Sequence, residues 1–262
     1  MKTIAFCSFK GGTGKTTLSL NVGCNLAQFS NKKVLLVDLD PQANLTTGLG
    51  IQSCCDSNLS DIFRSSGNIK DIIQTTKINN LHIISSNILI EEFRELSRDS
   101  VLNTSNLHSS LQLIECNYDV CILDTPPSLG TLTQEAFIAS DHLVVCLTPE
   151  PFSILGLQKI KEFCSMLPME QDLTVLGIVF SFWDDRNSTN STYLNIIESI
   201  YEGKVLSSKV RRDIALSRSL LKETSVANAY PNSRASNDIL RLTEEIESKL
   251  FNKECLSRKY CE

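Results

Sequence analysis

The chain has 262 residues, enough for one α/β domain with a sizeable core. A net charge of −5, with 42% apolar and 21% charged residues, excludes a protein that coats nucleic acid by bulk charge, so any DNA contact must come from a local basic patch. No apolar run reaches the roughly 20 residues of a membrane helix, and the chain opens on a strand-like run, so no secretion signal is expected.

The ten cysteines stand singly except Cys54-Cys55, with no C-x-x-C pair. This usage predicts reduced thiols in a cytosol, mostly as small core residues, rather than a zinc or disulfide scaffold.

Taken in order, Thr3-Ile4-Ala5-Phe6-Cys7 predicts a strand, and Leu18, Val22, Leu26 and Phe29 recur at helical spacing after it. Between them lies Phe9-Lys10-Gly11-Gly12-Thr13-Gly14-Lys15-Thr16-Thr17. Strand, glycine-rich turn and helix start form a phosphate cradle, because glycines let backbone N–H groups face an anion and the helix N-terminus adds partial positive charge. Lys15 can reach the β- and γ-phosphates, and the Thr16 hydroxyl can ligate Mg²⁺. The ordinary P-loop glycine five positions before Gly14 is replaced by Phe9, and a second lysine, Lys10, precedes the double glycine.

Val34 to Val37 predicts a buried strand with two carboxylates, Asp38 and Asp40, at its C-terminal end, where ligands bind in parallel sheets. Leu45 to Gly50 is expected as a loop, Leu59–Phe63 and Ile69–Ile73 as short helical pieces, Leu81–Ser85 as a strand, and Ile88–Leu96 and Leu107–Cys116 as helices. His82 and His108 receive no role. Val120 to Leu123 predicts a strand ending in Asp124, a Walker B pattern in which the carboxylate holds Mg²⁺ through water, followed by Thr125-Pro126-Pro127. His142–Leu147 is a further core strand, followed by Thr148-Pro149-Glu150-Pro151-Phe152 and a helix containing Leu155, Ile160 and Phe163. Leu173–Phe182 is the last long strand and Thr192–Tyr201 a helix.

From Lys204 to Lys222 the charge reverses, with Lys204, Lys209, Arg211, Arg212, Arg218 and Lys222 facing only Asp213. Such a patch binds phosphate backbone without reading sequence, or is a solvated helical face. Ser233 can cap the last helix, whose stripe is Ile239, Leu242, Ile246 and Leu250. The alternation of strands and helices predicts a doubly wound, mostly parallel α/β sheet flanked by helices, as one domain over 1–252 with a tail at 253–262.

The box Lys10 to Thr17 resembles the deviant Walker A motif of the ParA/MinD ATPases. Asp38-Leu39-Asp40-Pro41-Gln42-Ala43-Asn44 resembles the D-x-D-P-Q-G-N segment of ParA proteins, with Ala43 in place of the common glycine. The D-x-P-P pattern at Asp124 is shared too. The resemblance implies a deviant-Walker P-loop fold, an ATPase using Mg²⁺, and an ATP-dependent homodimer in which Lys10 contacts phosphate on the other subunit. It implies that Asp40 positions the attacking water and that Asp38 supports the Mg²⁺ shell. Nucleotide contacts would come from Gly11, Gly12, Thr13, Gly14, Lys15, Thr16 and Thr17. The loop Tyr230-Pro231-Asn232-Ser233 resembles one whose proline and backbone pack on adenine, placing Pro231 and Asn232 at the base. The segment Val210–Ser217 resembles a region of non-specific DNA contacts, which makes Arg211, Arg212, Arg218 and Lys222 the candidates.

The expected role is a cytoplasmic, nucleoid-associated DNA-partition ATPase, stimulated by a ParB-like centromere-binding protein and free of membrane. No helix-turn-helix precedes the first strand, so operator reading is not expected. Three alternative roles fit the sequence less well. A MinD-like membrane-cycling ATPase needs a basic amphipathic tail, and only Leu256 and Tyr260 offer apolar positions after Phe251. A nucleotide-binding regulator of gene expression would not need the full Lys15, Thr16, Asp40 and Asp124 set. A nitrogenase-reductase-like role needs cluster cysteines, which the loop after Asp124 lacks.

Overall fold

Runs of Val, Ile and Leu become the centre of a single eight-stranded sheet, because strands apolar on both faces are stable only when covered on both. The computed structural model describes residues 1–52, 59–64, 67–96, 106–167 and 173–251. The strands are β1 (Lys2–Cys7), β2 (Val34–Asp38), β3 (Ile73–Thr75), β4 (Leu81–Ile84), β5 (Val120–Asp124), β6 (His142–Leu147), β7 (Thr174–Trp183) and β8 (Val205–Arg211). The helices are α1 (Lys15–Phe29), α2 (Asn44–Gly48), α3 (Leu59–Phe63), α4 (Glu91–Leu96), α5 (Asn106–Gln112), α6 (Thr131–Ile138), α7 (Phe152–Ser165), α8 (Ser188–Ile200), α9 (Ile214–Leu220), α10 (Val226–Ala229) and α11 (Arg234–Phe251).

The strand order is β3-β4-β2-β5-β1-β6-β7-β8, parallel throughout except for the β3–β4 pair. β1 lies between β5 and β6, so the C-terminal end of β1 is where the winding changes direction, the place a ligand crevice forms in such sheets. Successive residues of β1 feed opposite cores. Ile4 and Phe6 join α1 residues Leu18, Val22 and Leu26 and α11 residues Ile239, Leu242 and Ile246. Ala5 and Cys7 join α3, α5, α6 and α7 on the other face.

Several expected boundaries move. The expected loop at Leu45–Gly50 is largely helix α2, and the expected Ile88–Leu96 helix begins as a 3₁₀ turn over Ile88–Ile90 with Asn87 as its cap. The Leu107–Cys116 helix stops at Gln112, followed by a separate 3₁₀ turn at Glu115–Asn117. Ile73 belongs to β3, not to the turn before it. α8 starts at Ser188 because the Asn187 side chain accepts from Thr189 N–H. The basic stretch is no single helical face: it contains strand β8 and then α9. Ser233 caps α11 as expected, its Oγ accepting from Ser236 N–H at 3.1 Å. Cys7, Cys24, Cys121 and Cys146 are buried thiols. Cys54-Cys55 and the expected tail lie outside the described residues. No helix among the described residues is long and apolar enough to cross a membrane.

Candidate nucleotide site

β1 ends at Cys7, and the chain turns through the glycine-rich loop into α1. Gly12 and Gly14 have φ of 77° and 78°, the left-handed region in which a side chain is strained. Gly14 closes the first turn, its carbonyl accepting from Leu18 N–H at 2.9 Å. The loop is held from outside as well. Ser181 Oγ on β7 donates to the Thr13 carbonyl at 2.6 Å, and Ser8 Oγ donates to the Lys10 carbonyl at 2.9 Å. Lys15 is buried at 6% exposure.

Register brings the carboxylates together. Asp38 on β2 pairs across the sheet with Asp124 on β5, and Asp124 pairs with Phe6 on β1. Both are fully buried. Burial pushes the Asp124 carboxyl up, opposed first by the charge of Lys15 and then by the neighbouring hydroxyls of Thr16 and Ser19. Ser19 Oγ lies 3.0 Å from Asp124 Oδ1, while Asp124 Oδ2 is buried with no partner. Asp38 is pushed up to about 7, by burial first and by Asp124 second. Its oxygens are occupied: Oδ2 accepts from Thr46 N–H at 2.9 Å and Thr46 Oγ1 at 2.7 Å, and Oδ1 accepts from Asp40 N–H at 3.1 Å. Asp38 therefore anchors the turn that carries Asp40 and the start of α2. Asp40 Oδ1 in turn accepts from Gln42 N–H at 3.0 Å.

The loop, Lys15, Thr16, Thr17, Asp40, Gln42 and Pro127 line one cleft of about 510 Å³. Lys10 stands at its rim, Nζ 2.6 Å from Glu150 Oε2, both side chains about half exposed. Beside them Phe9 packs on α7, its Cβ 3.2 Å from where a side chain on Gly156 would begin. Phe9, Phe152 and Leu155 present apolar surface to solvent around that rim. A second recess of about 330 Å³ adjoins the cleft, sharing Gly14, Thr17 and Leu220 with it and lined further by Phe182, Val210, Arg212 and Asp213.

The remaining expected site residues are scattered. Pro231 and Asn232 are exposed in the turn between α10 and α11 and line neither cavity. Arg211 does not face Asp213 alone. Its guanidinium grips the buried Asp238 through Nε at 2.9 Å and Nη2 at 2.5 Å, with Asp185 at 3.6 Å. Arg212, Arg218 and Lys222 are exposed, the last with its ammonium 4.3 Å from the Tyr230 ring centroid. Sequence reasoning missed Ser19, Thr46, Ser181 and Phe182. Ser19 had a signal, standing four residues after Lys15 on one helical face; the others are reached only through the fold.

Residues 1–175 match the family model described as an AAA domain. Over 256 residues the chain is 70% identical to the virulence plasmid ParA family protein pGP5-D of Chlamydia psittaci, covering 98% of each chain.

The chain belongs to the ParA family.

It is also 32% identical over 248 residues to the sporulation initiation inhibitor protein Soj of Bacillus subtilis, covering 94% of this chain and 98% of Soj. A candidate plasmid partition protein of Borrelia burgdorferi B31, solved with AMPPNP, superposes with a TM-score of 0.78 at 25% identity over 96% of this chain and 99% of that one. The doubly wound P-loop architecture of ParA proteins is thus the architecture found. In this ParA chain the departure at Ala43 acquires a meaning. Ala43 has φ 53° and ψ 36°, so the position asks for the left-handed backbone that the family's usual glycine gives freely.

Proposed function

We propose that this chain is an Mg²⁺-dependent ATPase of DNA partition. In this reading ATP joins two copies into a dimer that holds DNA without reading sequence, and hydrolysis, accelerated by a ParB-like partner, releases it. One observation carries the reading: a buried lysine, Lys15, lines one cleft with Thr16 and Asp40 while a second lysine stands at the rim, and a buried carboxylate with an unpartnered oxygen, Asp124 Oδ2, lies at the end of the strand next to β1, bonded to Ser19 of the helix that Lys15 begins. The 70% identity to a plasmid-borne ParA family protein supports it from outside the structure.

Each residue has a task. The backbone of Gly11 to Thr17 and the Lys15 ammonium suit the phosphates of ATP. Thr16 and Asp124 suit hydrated Mg²⁺, which takes oxygen ligands and would satisfy the orphaned Oδ2. An ion held by these residues would offset the charge of the transferring phosphoryl group. Asp40, kept in place by Gln42 N–H and by the Asp38 turn, orients the attacking water. Asp38 thus acts on the Mg²⁺ shell through its neighbours, since its own oxygens are engaged. Lys10 leaves Glu150 and reaches the γ-phosphate of the second copy, as a cation brought to developing charge, worth ~10³–10⁵ in rate in comparable arrangements. The exposed apolar rim of Phe9, Phe152 and Leu155 is surface that such a dimer would cover.

The DNA face is Arg212, Arg218 and Lys222, without Arg211, whose guanidinium is committed to Asp238. Dimerisation doubles these phosphate contacts and steepens affinity. A cytoplasmic location on the nucleoid follows from this role. The test is DNA binding by the purified protein with ATP, ADP and no nucleotide across a salt series. Tight, salt-sensitive binding with ATP alone is expected, and equal binding in all three states refutes the nucleotide-gated clamp.

A further inference from the structure

We infer that Thr46 is a positioning residue for hydrolysis: its hydroxyl pins the Asp38 carboxyl, and through Asp38 it fixes where Asp40 meets the attacking water. The inference rests on the ATPase reading above and deepens it by naming a residue outside the cleft on which turnover, but not nucleotide binding, depends.

Thr46 is 1% exposed. Its neighbours Asn44, Thr47 and Gly48 line the phosphate cleft, and Thr46 does not. Its hydroxyl stands instead in a buried chain of bonds. Ser86 N–H donates to Thr46 Oγ1 at 3.0 Å, Thr46 Oγ1 donates to Asp38 Oδ2 at 2.7 Å, and Asp40 N–H donates to Asp38 Oδ1 at 3.1 Å. The direction is fixed from one end. An amide N–H can only donate, so the Thr46 oxygen accepts from Ser86 and its single proton is left for Asp38. Asp38, Thr46 and Ser86 are each no more than 1% exposed, so water does not compete for these bonds, and the low dielectric strengthens them.

The terminal torsion of an aspartate is soft, so bonds set its aim. Thr46 holds Oδ2 twice, through its hydroxyl and through its N–H at 2.9 Å, which leaves Oδ1 turned to the Asp40 N–H. The Asp40 turn is then closed by Ala43 N–H on the Asp40 carbonyl at 2.8 Å and by Gln42 N–H on Asp40 Oδ1 at 3.0 Å. Ser86 lies two residues past β4, the strand beside β2. The hydroxyl is therefore held from the sheet, not from the turn that it orders.

The test is ATPase turnover and calorimetric ATP affinity of the wild-type chain, Thr46→Val and Thr46→Ser, at a temperature where circular dichroism shows each folded. Valine keeps the shape and loses the hydroxyl; serine keeps the hydroxyl and loses the methyl. A misplacement of about 1 Å in a reacting geometry can cost ~10²-fold in rate. We expect Thr46→Val to lower kcat about tenfold or more with ATP affinity within about twofold, and Thr46→Ser to keep kcat within about threefold of the wild type. Should the valine variant not fold, Thr46→Ala takes its place in each comparison. Wild-type kcat in the folded variant without a hydroxyl overturns the inference alone. An equal loss of ATP affinity also overturns it, because Thr46 is then a prop of the cradle, and so does a Thr46→Ser protein as slow as the valine variant. A wild-type chain that binds ATP without turning it over overturns the ATPase reading and the inference with it.

Discussion

Ala43→Gly should stabilise this protein, an unusual direction for a truncation beside a candidate site. Ala43 sits at φ 53°, ψ 36°, between Asp40 and α2. Its N–H donates to the Asp40 carbonyl at 2.8 Å and its carbonyl accepts from Thr47 N–H at 2.9 Å, so the turn cannot relax without losing both bonds. A left-handed L-residue costs about 1–2 kcal/mol. Glycine returns about 0.4–1 kcal/mol of that through the freer unfolded chain. The half-buried methyl is worth somewhat less than the ~0.8 kcal/mol of a fully buried one. The net gain is roughly 0.5 kcal/mol, or about 1–2 °C in Tm for a domain this size. Ala43→Val makes the opposite change, because a β-branched side chain tolerates the left-handed region least, and should cost about 1 kcal/mol or more. Urea denaturation of the three proteins at one pH measures both. Loss of stability in the glycine variant, or a valine variant as stable as the wild type, would show that the strain assigned to this turn is absent.

Further predictions concern charge. Glu135, buried in α6 with Leu107 N–H as a donor at 3.2 Å, has its carboxyl raised by burial from 4.5 to about 7. Between those values the native state holds a proton that the unfolded state has lost, so stability falls as pH rises through the window and levels off above it, by ~3 kcal/mol in all. Glu135→Gln should lessen the fall of the denaturation midpoint from pH 5 to 8, leaving the part that comes from Asp38, also pushed up to about 7; an unchanged slope would place the titration elsewhere. Arg211→Ala strands the buried Asp238 carboxylate and should cost about 3 kcal/mol of stability, whereas Arg218→Ala and Lys222→Ala should each lower the salt slope of DNA binding by about one with little change in Tm. A stable Arg211→Ala protein with a reduced slope would reverse that division. Glu150→Gln removes a half-exposed ion pair worth no more than about 1 kcal/mol. It should promote the proposed ATP-dependent dimer by at most about fivefold in sedimentation, and a tenfold weakening would mean that Glu150 helps the assembled seam.

The site was legible where chemistry is written into adjacent residues. The glycine-lysine spacing from Lys10 to Lys15 and the apolar runs ending in Asp38 and Asp124 announce their own elements, since a strand of consecutive branched residues has no stable place but a covered sheet. β8 was not legible. Ser207, Ser208 and Lys209 interrupt its apolar pattern, and its ladder is completed by side chains from α11: Glu245 accepts from Ser207 and Ser208 N–H at 2.8 Å each, and Asp238 accepts from Arg211 N–H at 3.1 Å. Pairings across 27 to 38 residues leave no periodic trace. For the same reason α2 was expected as loop: what orders it is the Asp38 carboxylate eight residues before Thr46. The tie of Arg211 to Asp238 is likewise invisible in the sequence: a residue whose charge suggests a DNA contact also braces the sheet edge.

The most direct measurement mixes two damaged proteins. Lys10→Ala keeps its own cradle but offers nothing to a neighbour; Lys15→Ala cannot hold phosphate well but still carries Lys10. Each alone should turn over ATP negligibly. If Lys10 serves the opposite subunit, an equimolar mixture regains measurable ATPase activity through mixed dimers in which the intact cradle of one meets the free lysine of the other. A mixture as inactive as its two folded components would contradict the shared site on which the proposed clamp depends.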